Sequence, residues 1–143
     1  MVDWININNW LIFFKQRVPL LVYSLLSAGF VLSGLATVSL PVNLNNFGIL
    51  FIGLLLFFVE LRLMDEVKDL EKDIVANPDR PLPQKLLTPD QVKSVILNLH
   101  RLMYILVLVF AFYVNLQTGF WYWVITFYLG LMYKEFYIGE VLE

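Results

Sequence analysis

The sequence predicts an all-α, polytopic transmembrane helical bundle with four spanning helices and a charged loop between the second and third. Three observations carry this. Of 143 residues, 59% are hydrophobic and the mean hydropathy is +0.72, well above the roughly 45–50% apolar content of soluble domains. Residues 18–59 contain no Lys, Arg, Asp or Glu. The charges that exist gather in one central stretch and near the two ends.

Four segments meet the requirement of about 20 mostly apolar residues for a hydrocarbon core: 18–40, 47–64, 92–115 and 119–142. The first is too long for the apolar core of a signal peptide and reads as a retained helix. Before it, "MVDWININNWLIFFKQR" places Trp4, Trp10, Phe13 and Phe14 beside Lys15 and Arg17, the composition of a helix lying in a membrane interface. "PVNLNN" follows as a tight polar turn, with Pro41 ending the helix, and "NLQTG" is its counterpart between the third and fourth segments. Lys15 and Arg17 precede the first span, and Lys68, Lys72, Arg80, Lys85 and Lys93 lie in or beside the central connection. Cations are absent from the other two loops, so the positive-inside rule puts both termini and the central connection in the cytoplasm.

Composition also excludes. A net charge of −2 provides no basic field for phosphate neutralisation, so nucleic acid is not a partner. Without cysteine there is no disulfide, thiolate catalysis or cysteine-held metal. A single His100 argues against a histidine metal site and more for a helix-to-helix hydrogen bond.

The stretch "DEVKDLEKDIVANPDRPLP", residues 65–83, sets the functional question. Asp65, Asp69 and Asp73 recur every four residues, and Glu66, Asp69 and Asp73 follow i, i+3, i+7, so either trio lies along one helical face. Like charges so placed destabilise a helix by roughly 0.2–0.5 kcal/mol per pair, and something must offset that. One candidate is the interleaved lysines, through the i, i+3 pairs Asp65–Lys68, Lys68–Glu71 and Asp69–Lys72, as in a solvated connector helix. The other is a divalent cation, since Mg²⁺ commonly takes one or two carboxylates together with substrate phosphates. Arg80 and Lys85, on the proline-bounded loop "NPDRPLPQK", are cations suited to diphosphate oxygens.

At these residues the sequence resembles the UbiA superfamily of intramembrane prenyltransferases. That family has an aspartate-rich motif N-D-x-x-D-x-x-x-D at the cytoplasmic end of its second helix and a following loop like N-R-P-L-P-x-G. "DEVKDLEKD" puts Asp65 at the Asn, Glu66 at the first Asp, Asp69 at the second and Asp73 at the third. Asn77, Arg80, Pro81, Leu82 and Pro83 match the loop, and "RVP" at 17–19 matches the basic entry to the first helix. Glu66 and Lys85 stand where the family has Asp and Gly.

The resemblance implies a site that binds Mg²⁺ and an isoprenyl diphosphate and transfers the prenyl group to a lipophilic acceptor. Asp69 and Asp73 would be catalytic, and Glu66, Asp69, Asp73 and Asp65 would ligate metal. Arg80, Lys85, Arg101 and Lys134 would contact substrate. The family's second aspartate-rich motif is not found in these residues, so the chain reads as its N-terminal half, to be completed by the rest of a longer chain, a partner subunit or a second copy in a homodimer. The reading from a different class is a non-catalytic four-helix scaffold or assembly subunit whose charged loop docks a partner. A transporter ranks last, because no pair of Gly/Pro-interrupted spans marks a midplane site.

Two spans carry further ionisable residues. Arg62 can pair with Glu66 at i+4, and Glu60 faces the bundle or its vestibule. Arg101 either snorkels to the interface or leans toward the carboxylates. Tyr104, Tyr113 and Phe127 fit lipid or packing contacts better than a prenyl tunnel.

Overall fold

The computed structural model describes residues 6–37 and 44–133, and within them every regular element is a helix. The helices are α1 (Ile7–Arg17), α2 (Leu20–Thr37), α3 (Leu44–Lys68), α4 (Leu70–Ala76), α5 (Pro89–Tyr113) and α6 (Leu116–Met132). Their limits follow local chemistry. Pro19 forces Val18 into an extended conformation (φ −114°, ψ 98°), as the residue before a proline requires, and this separates α1 from α2. Thr88 and Gln91 form a reciprocal capping box at the start of α5, with bonds of 2.8 and 3.2 Å and Pro89 in the first turn. The Asn115 side chain caps α6 by accepting from the Thr118 amide at 2.8 Å.

Three helices, α2, α3 and α5, are long and apolar enough to cross a membrane. At 1.5 Å per residue the 25 residues of α3 and of α5 reach about 37 Å, more than the roughly 30 Å hydrocarbon core. The expected fourth span is seen as α6 over 17 residues, about 25 Å, and its expected continuation to 142 lies outside the described residues. Three spans are therefore seen among the described residues, and a fourth is not shown. The turn "PVNLNN" is likewise outside the described residues except for its last three.

α2 packs on α3, α3 on α5, and α5 on α6. In the apolar half these contacts depend on small residues, as is usual where lipid removes the hydrophobic drive between helices. A Cβ on Gly53 of α3 would come within 2.3 Å of the Phe110 ring, and one on Gly119 of α6 within 2.6 Å of the Ala111 Cβ. Phe110 and Tyr122 meet edge to face at 4.4 Å, and the Tyr122 hydroxyl donates to the Gly53 carbonyl at 3.0 Å. Outward faces are apolar: Leu21 is 75% and Phe112 is 82% exposed, as expected of side chains that meet acyl chains.

Between α3 and α5, Glu60 is fully buried and its Oε1 lies 2.8 Å from His100 Nδ1. This is the helix-to-helix bond expected of His100. The Tyr104 ring stands edge-on to the His100 imidazole at 5.1 Å.

Candidate functional site

The charged residues converge on one end of the bundle, where α1, α2 and α3 meet α4 and the loop 77–88. α1 comes first, because it brings Arg17 there. Its Phe13 is fully buried, Trp10 and Phe14 join the same core, and Ile7 and Leu11 face outward. The side-chain amide of Asn9 donates to the Leu86 carbonyl at 2.7 Å, which fastens α1 to the loop. Leu82 and Leu87 of that loop enter the core beside Val92 and Ile96. The helix with interfacial composition thus lies over the charged end, one apolar face on protein and one outward.

Glu66, 3% exposed at its side chain, is clasped by two arginines. Arg17 engages it with two prongs, Nε to Oε2 at 2.8 Å and Nη2 to Oε1 at 2.6 Å. Arg62 closes on Oε1 from one turn below, the i, i+4 pair anticipated from the sequence, and its Nε donates to the Arg17 carbonyl at 2.8 Å. The hydrogen bonds that Arg17 donates to Glu66 hold its guanidinium above its ordinary value against the opposing effect of burial. Asp73, also buried, accepts from Arg80 and, at 3.0 Å, from Asn77. Burial pushes its carboxyl up. The Arg80 and Asn77 hydrogen bonds, with the Arg80 and Arg17 charges, outweigh that and hold it below the usual carboxylate range.

The backbone ladder runs almost unbroken from α3 into α4, through Asp69 N to Asp65 O and Asp73 N to Asp69 O, both 2.9 Å. This keeps the predicted carboxylate spacing. The carboxylates are nevertheless dispersed among separate partners. Asp65 accepts from the Tyr133 hydroxyl at 2.6 Å, and Asp69 pairs with Lys72 at 3.4 Å on the outside. Of the interleaved lysine pairs, Asp69–Lys72 forms, while Lys68 sits 5.2 Å from the centre of the Tyr133 ring.

The metal-ligand set implied by the resemblance is not assembled: among the described residues no three His, Asp or Glu side chains come together that could hold an ion. Glu66 and Asp73 are occupied by guanidiniums. Asp65 and Asp69, four residues apart and neither of them in an arginine ion pair, keep the donor chemistry of the smaller carboxylate set that Mg²⁺ commonly uses with phosphates.

The other candidates are scattered. Lys85 is exposed and adopts φ 59°, the left-handed region, at the position where the family loop has Gly. Arg101 is exposed and bonds Asn98 at 3.3 Å rather than any carboxylate. Lys134 lies outside the described residues, directly after Tyr133. Sequence reasoning missed Arg17 as a site residue, treating it as a topological signal. The "RVP" match to the family's helix entry was the available clue.

A cavity of about 310 Å³ opens among α2, α3, α5 and α6, lined by Phe30, Leu35, Leu54, Phe110, Trp121 and Tyr122. Leu54 precedes Glu66 by twelve residues, or about 18 Å along α3. The cavity is therefore deep in the apolar half. Tyr104, Tyr113 and Phe127 do not line it and face outward.

No family model, no curated protein and no solved structure matches this chain.

Proposed function

We propose that the chain is a UbiA-like, prenyltransferase-type membrane protein that binds an isoprenyl diphosphate at its charged end and, once completed by a second half, transfers the prenyl group to a lipophilic acceptor. The observation that supports this reading is the folding of the proline loop back onto the acidic stretch. Arg80 reaches Asp73, and Arg17 and Arg62 reach Glu66, so three guanidiniums and four carboxylates share one end of an apolar bundle. In this reading α6 is the fourth span, and the charged end and both termini face the cytoplasm. The completing half belongs to a longer chain, a partner subunit or a second copy.

The chain's own residues bind and orient. Arg80 and Arg17 offer planar donors to phosphate oxygens, while α1 and the loop cover the site and limit water that would quench an allylic cation. The deep apolar cavity accepts a hydrocarbon tail. Asp65 and Asp69 are the carboxylates available to Mg²⁺, which when bound would offset charge on the departing diphosphate.

The test is titration of an isoprenyl diphosphate into the detergent-solubilised chain with and without Mg²⁺. Binding should weaken on Asp69→Asn and be unaffected by Asp79→Asn or Asp90→Asn, both on exposed positions. Equal tolerance of all three substitutions would sink the reading. One observation favours the docking alternative: Ile74 and Val75 of α4 are 55% and 85% exposed beside the charged residues. Loss of a co-purifying subunit on Val75→Asp, with diphosphate binding absent throughout, would favour it.

A further inference from the structure

Four carboxylates of the acidic stretch have side-chain partners among the described residues, and three of them face cations: Glu66 has Arg17 and Arg62, Asp73 has Arg80 and Asp69 has Lys72. The fourth, Asp65, accepts instead from the Tyr133 hydroxyl at 2.6 Å. A neutral hydroxyl orients a carboxylate without cancelling its charge, and a single bond to Oδ1 leaves most of the acceptor capacity of the group unused. Asp65 is thus the partnered carboxylate of this stretch that keeps its full negative charge.

The same contact explains why Lys68 does not neutralise it. Lys68 stands three residues beyond Asp65, the spacing at which Asp69 pairs with Lys72. Its ammonium lies instead 5.2 Å from the centre of the Tyr133 ring, within the range at which an aromatic face attracts a cation. One side chain therefore holds the two members of this pair apart, the hydroxyl taking the acid and the ring taking the base. Tyr133 is only 7% exposed and caps α6, its amide donating to the Leu129 carbonyl at 3.2 Å. α6 is itself fixed, by Gly119 against Ala111 and by the Tyr122 hydroxyl on the Gly53 carbonyl. The ring thus reaches α3 on a rigid element.

We propose that Tyr133 is a positioning residue that keeps Asp65 charged and aimed for a divalent cation, by orienting its carboxylate and by drawing Lys68 away from it. The inference rests on the Mg²⁺-dependent reading of the charged end and adds to it a residue from α6, outside the acidic stretch. It also ranks the two available carboxylates: Asp65, with its neutral partner, contributes more to cation binding than Asp69, whose charge is shared with Lys72.

The test is the Mg²⁺ concentration that gives half-maximal binding of geranyl diphosphate to the full chain in neutral detergent, followed by calorimetry. Tyr133→Phe keeps the ring and removes the hydroxyl, and should raise that concentration about tenfold, as expected for losing a group that orients a metal ligand. Adding Lys68→Gln to that variant should recover part of the loss, because no ammonium is left to turn onto Asp65. A purely structural role for Tyr133 predicts no such recovery. A Tyr133→Phe chain that responds to Mg²⁺ as the wild type does, or a loss that Lys68→Gln does not relieve, would overturn the positioning role and leave the diphosphate reading standing. Wild-type chain that binds no geranyl diphosphate, or binds it equally with chelator, would sink the Mg²⁺-dependent reading and this role with it. Should Tyr133→Phe fail to fold, Asp65→Asn decides the matter, since it keeps an acceptor for the hydroxyl. It is expected to raise the half-maximal Mg²⁺ concentration more than Asp69→Asn does, and an equal or smaller rise would overturn the proposal.

Discussion

The two ends of this bundle are held together by opposite means. At the charged end, α1, α3, α4 and the loop 77–88 are joined by directed contacts, each naming a donor and an acceptor, such as Arg17 to Glu66 or Asn9 to the Leu86 carbonyl. In the apolar half the helices meet through shape, with Gly53 admitting the Phe110 ring and Gly119 seating on Ala111. Ion pairs tolerate no loss of a partner, because the one left behind stays buried and charged. Steric fits tolerate no gain of volume. The charged end is thus vulnerable to deletion and the apolar half to addition.

The largest expected effect tests the first half of that contrast. Glu66→Ala strands two guanidiniums and should destabilise the chain by about 3–5 kcal/mol, the range for breaking a buried pair, with α1 released first. A thermal-unfolding series in detergent, combined with proteolysis mapped to the α1–α2 junction at Val18, would read both. Unfolding without early cleavage there would mean that α1 is held by its aromatic face alone.

Next comes the volume test on α3. Gly53→Ala drives a methyl into the Phe110 ring and should cost about 1–3 kcal/mol. Gly48→Ala, on the same helix, meets nothing within 4 Å and should be neutral or gain up to about 1 kcal/mol from helix propensity. Equal effects at the two positions would remove the steric account of the α3–α5 contact.

Much of this arrangement was legible in the sequence, for physical reasons that differ by residue. The charge-free run and the proline at 19 mark α2, since length, apolarity and the restriction before proline are local properties. Arg62–Glu66 and Asp69–Lys72 were legible because helical spacing alone brings them together. Glu60–His100 was half legible: a buried acid in a span needs a partner, and His100 was the available one. The clasp of Arg17 on Glu66 was not legible, because 49 residues separate them and only the docking of α1 over the loop closes that distance. For the same reason the four carboxylates looked like one ligand set. Their spacing is local, but the partners that divide them arrive from elsewhere in the chain: Arg17 from α1, Arg80 from the loop and the Tyr133 hydroxyl from the end of α6.

Acid should open the charged end late. The Asp73 carboxyl is held below its ordinary range in the folded chain, so its contribution to stability is fully present above the ordinary carboxylate value and is lost as pH falls through the lower, folded one. Release of the loop, read by a fluorophore on Gln84, should therefore begin below the pH at which free carboxylates titrate. Asp73→Asn should remove that transition and leave a loop loosened at all pH values, by on the order of 1 kcal/mol because Arg80 is partly open to solvent. A midpoint at the ordinary carboxylate value would mean that Arg80 does not hold Asp73 in solution.

The smallest effect should appear where the two principles meet, at Lys85. Its backbone adopts φ 59°, a conformation that costs a residue with a Cβ roughly 1–2 kcal/mol and glycine nothing. The hydrogen bonds on either side explain why the chain accepts it: Lys85 N donates to the Leu82 carbonyl at 2.9 Å and Leu86 N to the Pro81 carbonyl at 3.0 Å, closing the turn that presents the Leu86 carbonyl to Asn9. Lys85→Gly should therefore stabilise the loop, but by less than the full strain, because glycine gains freedom in the unfolded chain worth about 0.5–1 kcal/mol. The net rise should be a few tenths to about 1 kcal/mol, visible as a higher unfolding temperature with pyrophosphate binding unchanged. If binding falls instead, the Lys85 ammonium contacts the diphosphate, and its strained backbone is retained to aim it.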